Sequence, residues 1–111
     1  MTPTFQPLSD LEEVVLLVVV ALGDEAYGVA VQQRIESTAR RRIALGSVYA
    51  LLDRLGHRGY LRSAFGEATA ERGGRRKRIF DATRSGMRAL QEAKRMRQRL
   101  WHAAEAAEGR G

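Results

Sequence analysis

Leu45-Gly46-Ser47-Val48-Tyr49-Ala50-Leu51-Leu52-Asp53-Arg54-Leu55-Gly56-His57-Arg58-Gly59 carries Val48, Leu51, Leu52 and Leu55 at positions i, i+3, i+4 and i+7. That spacing is the signature of a helix with one buried stripe, here running from about Leu45 to Arg58. At 100° per residue, Gly46, Ala50, Asp53, Arg54 and His57 lie opposite the stripe, with Ser47 and Tyr49 at its margins. One face is therefore committed to a core, and the other is small and polar. Gly59 supplies the stop.

Upstream of this helix stand Arg40-Arg41-Arg42, and before them Gly28 to Thr38, where Val29, Val31 and Ile35 alternate with Gln32, Gln33, Arg34 and Glu36. This reads as an amphipathic helix of about three turns, the first of a helix-turn-helix pair. Further upstream, the five valines between Ser9 and Leu22 would suit a strand, but length and ends argue for a helix. Ser9 followed by Glu12 is a capping box, and Gly23 is a C-terminal stop. Because Val14 to Leu22 is apolar on every face, this helix should be buried on more than one side.

Downstream, Tyr60 to Phe65 and Arg75 to Ala82 read as two short strands joined by a loop containing Arg72-Gly73-Gly74-Arg75. Thr83 then caps a long amphipathic helix to about Ala107, with Met87, Leu90, Ala93, Met96, Leu100 and Ala104 spaced by three or four. A helix of about 24 residues extends roughly 36 Å, farther than a domain of this size can cover. Its apolar stripe therefore needs a second subunit. The fold class expected is mainly α with a small β-hairpin (α+β). Residues 1–82 form a helical domain with a hairpin, whose helix 9–22 also approaches the dimer interface, and 83–108 form a dimerisation helix within the same compact unit.

A chain of 111 residues suits one domain and leaves no room for a separate catalytic one. The net charge is +6, and its location is informative. Residues 1–39 hold one basic and six acidic residues, 40–78 hold eleven and three, and 79–111 hold seven and four. The positive charge thus gathers around the central helix and the hairpin, as expected of a polyanion binder. Cysteine is absent, which removes disulfides and thiolate metal sites and suits a reducing cytoplasm. The longest apolar run, Val14 to Leu22, is far below the roughly 18–20 residues that span a bilayer. His57 and His102 lack metal-ligand spacing, and Gly73-Gly74 does not lead into a phosphate-cradling helix. No enzyme motif, cofactor site or metal site is expected.

Gly23-Asp24-Glu25-Ala26-Tyr27-Gly28, Leu45-Gly46-Ser47-Val48-Tyr49, Leu52-Asp53-Arg54-Leu55 and Glu71-Arg72-Gly73-Gly74-Arg75 together resemble the signature segments of PadR-family transcriptional regulators, in order and in spacing. The resemblance covers about residues 8 to 100. It implies a winged helix-turn-helix domain with a C-terminal dimerisation helix, usually a repressor that a small-molecule inducer releases from DNA. Two departures stand out. Ala44 occupies a position where many members have a capping Ser, a loss of about 0.5–2 kcal/mol. Phe80-Asp81-Ala82 stands where relatives tend toward an aromatic residue followed two positions later by Leu, which predicts a less tightly packed wing.

On that resemblance the expected partners are double-stranded operator DNA and a second copy of the chain. Phosphate contacts fall to Arg40, Arg41 and Arg42 before the recognition helix and to Arg72, Arg75, Arg76 and Lys77 on the wing, each of which is otherwise a solvated cation. Base reading falls to Arg54, Ser47 and His57, with Tyr49 serving a phosphate or a thymine methyl, and Gly46 and Ala50 permitting close approach. Alternatively, Tyr49 is partly core and Arg54 pairs with Asp53 or a wing residue. Asp53 would either accept from a cytosine amine, neutralise a neighbouring arginine, or lie off the reading face. Trp101 is either an anchor of the subunit interface or a wall of an inducer pocket. The competing function is a winged-helix module that binds nucleic acid non-specifically, or protein, without an operator of its own. A dimer would place two recognition helices about 34 Å apart, on inverted half-sites.

Overall fold

The computed structural model describes residues 6–66 and 77–109. Its elements run α1 (Asp10–Leu22), a 3₁₀ turn (Gly23–Glu25), α2 (Gly28–Arg34), α3 (Leu45–His57), β1 (Leu61–Phe65), β2 (Arg78–Ala82) and α4 (Arg84–Glu108). α1 starts as its sequence predicts: Ser9 accepts from the Glu12 amide, and the Glu12 carboxylate accepts from the Ser9 amide at 2.8 Å. Val15, Leu16, Val18 and Val19 are buried, whereas Leu17 and Val20 remain 49% and 40% exposed, so α1 is central but leaves one apolar edge open.

The helix expected over Gly28–Thr38 is split. After Arg34 it widens into a π-helical segment, Ile35–Ala39, and stops at Arg40, which has φ 54 and ψ 38. A left-handed residue is the ordinary way to end such a turn, although arginine lacks glycine's freedom there. α3 ends one residue earlier than expected, and Ala44 at its N-cap makes no side-chain bond. β1 and β2 pair antiparallel, Ser63 opposite Phe80 and Phe65 opposite Arg78. β1 starts one residue later than expected, and Lys77 stands just before β2. Of the loop and wing residues, Arg72, Arg75 and Arg76 lie outside the described residues.

One core joins α1, α2, α3 and the hairpin through Leu16, Val31, Ile35, Leu52, Leu55 and Phe80. Phe80 is 2% exposed and its amide donates to the Ala26 carbonyl at 2.8 Å, so the hairpin base is well packed despite Ala82. α4 joins this core only through its first turns. Leu90, expected at a subunit interface, is instead 7% exposed within its own core. From Lys94 to Glu108 every residue is exposed. The Cα radius of gyration, 16.8 Å, exceeds the about 13 Å of a compact chain of this length because α4 projects outward.

The start of α4 is seated on the Gly59–Tyr60 turn. Thr83 donates its amide to the Tyr60 carbonyl at 3.0 Å and its hydroxyl to the Gly59 carbonyl at 2.6 Å, while the Thr83 hydroxyl oxygen accepts from the Gly86 amide at 3.0 Å. A Cβ at Gly86 would stand 2.3 Å from the Tyr60 carbonyl oxygen. Gly86→Ala should therefore destabilise the fold by about 1–3 kcal/mol, although alanine is the better helix former by about 1 kcal/mol. Chemical denaturation gives the sign; a stabilised variant would mean that α4 moves away from the turn at no cost.

Candidate nucleic-acid interface

α3 is held by its apolar stripe: Val48, Leu52 and Leu55 are at most 1% exposed. Gly46, Ser47, Tyr49, Ala50, Asp53, Arg54 and His57 are all exposed, as the helical spacing predicts. Because the helix is anchored mainly on one side, the opposite face is open to another molecule.

Three contacts fix the orientation of α3. At its N-terminal side, the Gln32 side-chain amide donates to the Ile43 carbonyl at 2.9 Å and holds the turn that Ala44 cannot cap. In its middle, the Tyr49 ring lies over Gly28, where any Cβ would stand 2.4 Å from it. A side chain at the start of α2 would push the Tyr49 ring aside, and Tyr49 is part ring-packing, part exposed surface at 39%. Just past its C-terminal end, Arg58 donates to the Glu12 carboxylate at 2.7 Å and to the Gln6 carbonyl, and lies over the Tyr60 ring. Glu12 is 3% exposed. Burial opposes its charge, yet the Ser9 amide and Arg58 outweigh burial and hold its carboxyl below the ordinary range. Among the described residues its Oε2 has no hydrogen-bond partner.

The outward residues differ in their partners. Arg54 forms no ion pair with any described carboxylate, so its guanidinium is available. Asp53 faces Arg78 Nη1 at 3.5 Å. His57 Nδ1 lies 2.9 Å from the Asp53 carbonyl oxygen. A carbonyl only accepts, so Nδ1 carries the proton and Nε2 is left to bond outward. Lys77 sits over the Tyr27 ring, 3.5 Å from its centre, which keeps this cation beside Tyr49 and Phe65 on one surface.

The three arginines before α3 do not form one cluster. Arg42 pairs with Glu36 at 3.3 Å, and Arg41 lines a cleft with Asp10, Glu13 and Arg97 between α1 and α4. Arg40 is the left-handed residue and pairs with no described carboxylate. Two basic residues not expected at the interface from the sequence, Arg62 and Arg78, line the groove between α3 and the hairpin. The period of two from Phe80 would have placed Arg78 on the inward face; only the strand register locates Arg62 opposite Asp81, to which it donates at 3.0 Å.

The apolar stripe of α4 divides. Leu90 is buried and Ala93 partly so, while Met87, Met96, Leu100 and Trp101 are 38%, 40%, 62% and 68% exposed and Ala104 is open. Arg97 ties α4 to α1 through Glu13 at 2.6 Å and Asp10 at 3.4 Å. Among the described residues there is no His, Cys, Asp and Glu group that would hold a metal, and no helix long and apolar enough to cross a membrane.

The model of the PadR-like family of transcriptional regulators matches residues 15–92. Among solved structures, a PadR-like transcription factor of Bacteroides fragilis superposes with a TM-score of 0.73 at 24% identity, covering 87% of this chain and 88% of that one. A protein of Streptococcus mutans gives 0.70 at 26% identity over 97% of both chains. A PadR-like transcriptional regulator of Bacillus cereus gives 0.70 at 20% identity, over 87% and 89%. No curated protein matches.

Proposed function

This chain belongs to the PadR-like family of transcriptional regulators, and from that membership we propose that it is a repressor that binds a palindromic operator as a homodimer. The observation that carries the reading is the division of α3: on one face Val48, Leu52 and Leu55 are buried and Leu51 is half-buried, while the opposite face is exposed, with small residues at Gly46, Ser47 and Ala50. Small residues let the helix backbone approach base edges, Arg54 supplies a fork for guanine, and His57 Nε2 and Ser47 add single bonds. Arg40, Lys77 and, on the hairpin loop, Arg72, Arg75 and Arg76 supply phosphate contacts. Arg41 and Arg42 are given the lesser part, since Arg42 pairs with Glu36 and Arg41 lies at the cleft between α1 and α4.

The second subunit covers the exposed stripe of α4, with Met96, Leu100, Trp101 and Ala104 at the contact and Met87 and Ala93 toward its edge. Trp101 is assigned to that contact as its anchor. Such a protein works in the cytoplasm, with the DNA.

Selection of bound fragments from genomic DNA at two salt concentrations tests this. The wild-type protein should recover an inverted repeat. Arg54→Ala should blur one position of each half-site, at a cost of about 1–3 kcal/mol there. Arg76→Ala should weaken all sites alike and reduce the salt slope by about 1. Recovery of DNA without any motif would mean the non-specific module instead.

A further inference from the structure

The groove between α3 and the hairpin holds an arrangement that stability does not explain. Arg78 is stacked over the Phe80 ring at 4.9 Å, and Phe80 is fixed in the core. Its Nε donates to Ser63 Oγ at 3.0 Å, across the strand pair, and its Nη1 reaches Asp53 on α3 at 3.5 Å. The ring, the hydroxyl and the carboxylate orient the plane of the guanidinium between strand and helix. This is the one ion pair between α3 and the hairpin among the described residues. Both partners are about half exposed, at 43% and 55% of their side chains, and pairs of that kind add little to folding. Asp53 also stands on the face that meets DNA, where an unneutralised carboxylate repels phosphate.

We propose that Arg78 and Asp53 are positioning residues: they clamp the hairpin to the recognition helix at a fixed angle, and so set the register between base contacts from α3 and phosphate contacts from the wing. This rests on the DNA-binding reading of α3. A rigid register rewards only those sequences that present bases and phosphates at the matching distance. The clamp therefore contributes to discrimination between operator and other DNA, more than to total affinity. Asp53 is then no base reader.

A double-mutant cycle with Asp53→Asn and Arg78→Lys tests the clamp. Operator and scrambled duplex are titrated in parallel for the wild type, both single variants and the double variant, with melting midpoints to confirm folding. Asp53→Asn should bind scrambled DNA more tightly, having lost a repelling charge, while its operator-to-scrambled ratio falls roughly 5- to 20-fold. Arg78→Lys keeps the charge but cannot bridge Ser63 and Asp53, and should lower the ratio similarly. The double variant should be no worse than either single one, because each already opens the clamp. Unchanged ratios, or losses that multiply in the double variant, would overturn the clamp and leave Arg78 a simple phosphate contact. A wild-type protein that does not distinguish the two duplexes would instead remove the operator reading, and the clamp with it.

Discussion

Replacing Arg58 with methionine should cost the fold about 3–5 kcal/mol, because it strands the Glu12 carboxylate in the core. Glu12 is 3% exposed, and it keeps its charge only because Arg58 and the Ser9 amide meet one of its oxygens while the other has no described partner. The pH dependence supplies a second readout. The native carboxyl is held below the value near 4.5 that it has when free, so the unfolded chain takes up a proton before the native one does. The stabilisation is thus complete above about pH 4.5 and is lost as pH falls through the native value. In Arg58→Met the order reverses: burial without a cation raises the carboxyl, so acidification relieves the variant while it weakens the parent. The gap between their urea midpoints should narrow from pH 7 to pH 4. Adding Glu12→Gln to Arg58→Met should recover much of the loss, since a neutral pair avoids the stranded charge. A loss below about 1 kcal/mol for the single variant would mean that water reaches Glu12 and that the pair acts as a surface bridge.

Leu100→Asp should leave folding of the individual chain nearly untouched and weaken operator binding by about 10²–10⁴-fold. Leu100 is 62% exposed on the part of α4 that makes no contact with its own core, so the substitution removes nothing from the protomer. In the proposed dimer the same position is buried against a second helix, where a carboxylate must give up its hydration against apolar side chains. Separated subunits would each hold one half-site and lose the gain of binding two at once. Light scattering at micromolar concentration gives the assembly, and titration of the full palindrome against a single half-site gives the binding. A variant that remains dimeric, or a wild type that is monomeric, would place the subunit contact elsewhere.

Local patterns in the sequence carry most of the fold. The Ser9–Glu12 box, the stripe of α3 and the long amphipathic α4 each depend on residues within one or two turns, and each stands where its spacing puts it. What the sequence leaves out depends on distant partners. Glu12 reads as a capping residue, and nothing near it shows that it also binds Arg58, 46 positions away. Leu90 shares its spacing with Met96 and Leu100, and only the meeting of α4 with α1 and the hairpin separates core from open surface. Asp53 has three readings open in the sequence, and the register of β2 brings Arg78 to it, favouring charge neutralisation. Arg40, Arg41 and Arg42 look alike as a run, because a run says nothing of which way each residue turns; the π-helical segment and the left-handed Arg40 send them to different neighbours.

The anchoring of α3 by one face has a consequence for how such a protein can change. Gly46, Ser47, Ala50 and Arg54 bear none of the packing of the fold, whereas a side chain at Gly28 would displace the Tyr49 ring. Substitutions at the first four are therefore cheap in stability, of the order of 0.5 kcal/mol for a typical surface change. If α3 reads an operator as proposed, duplicated copies of the gene could drift to new operators without passing through unfolded intermediates. An engineer retargeting the helix has the same freedom: a library confined to those four positions samples recognition while leaving the architecture intact.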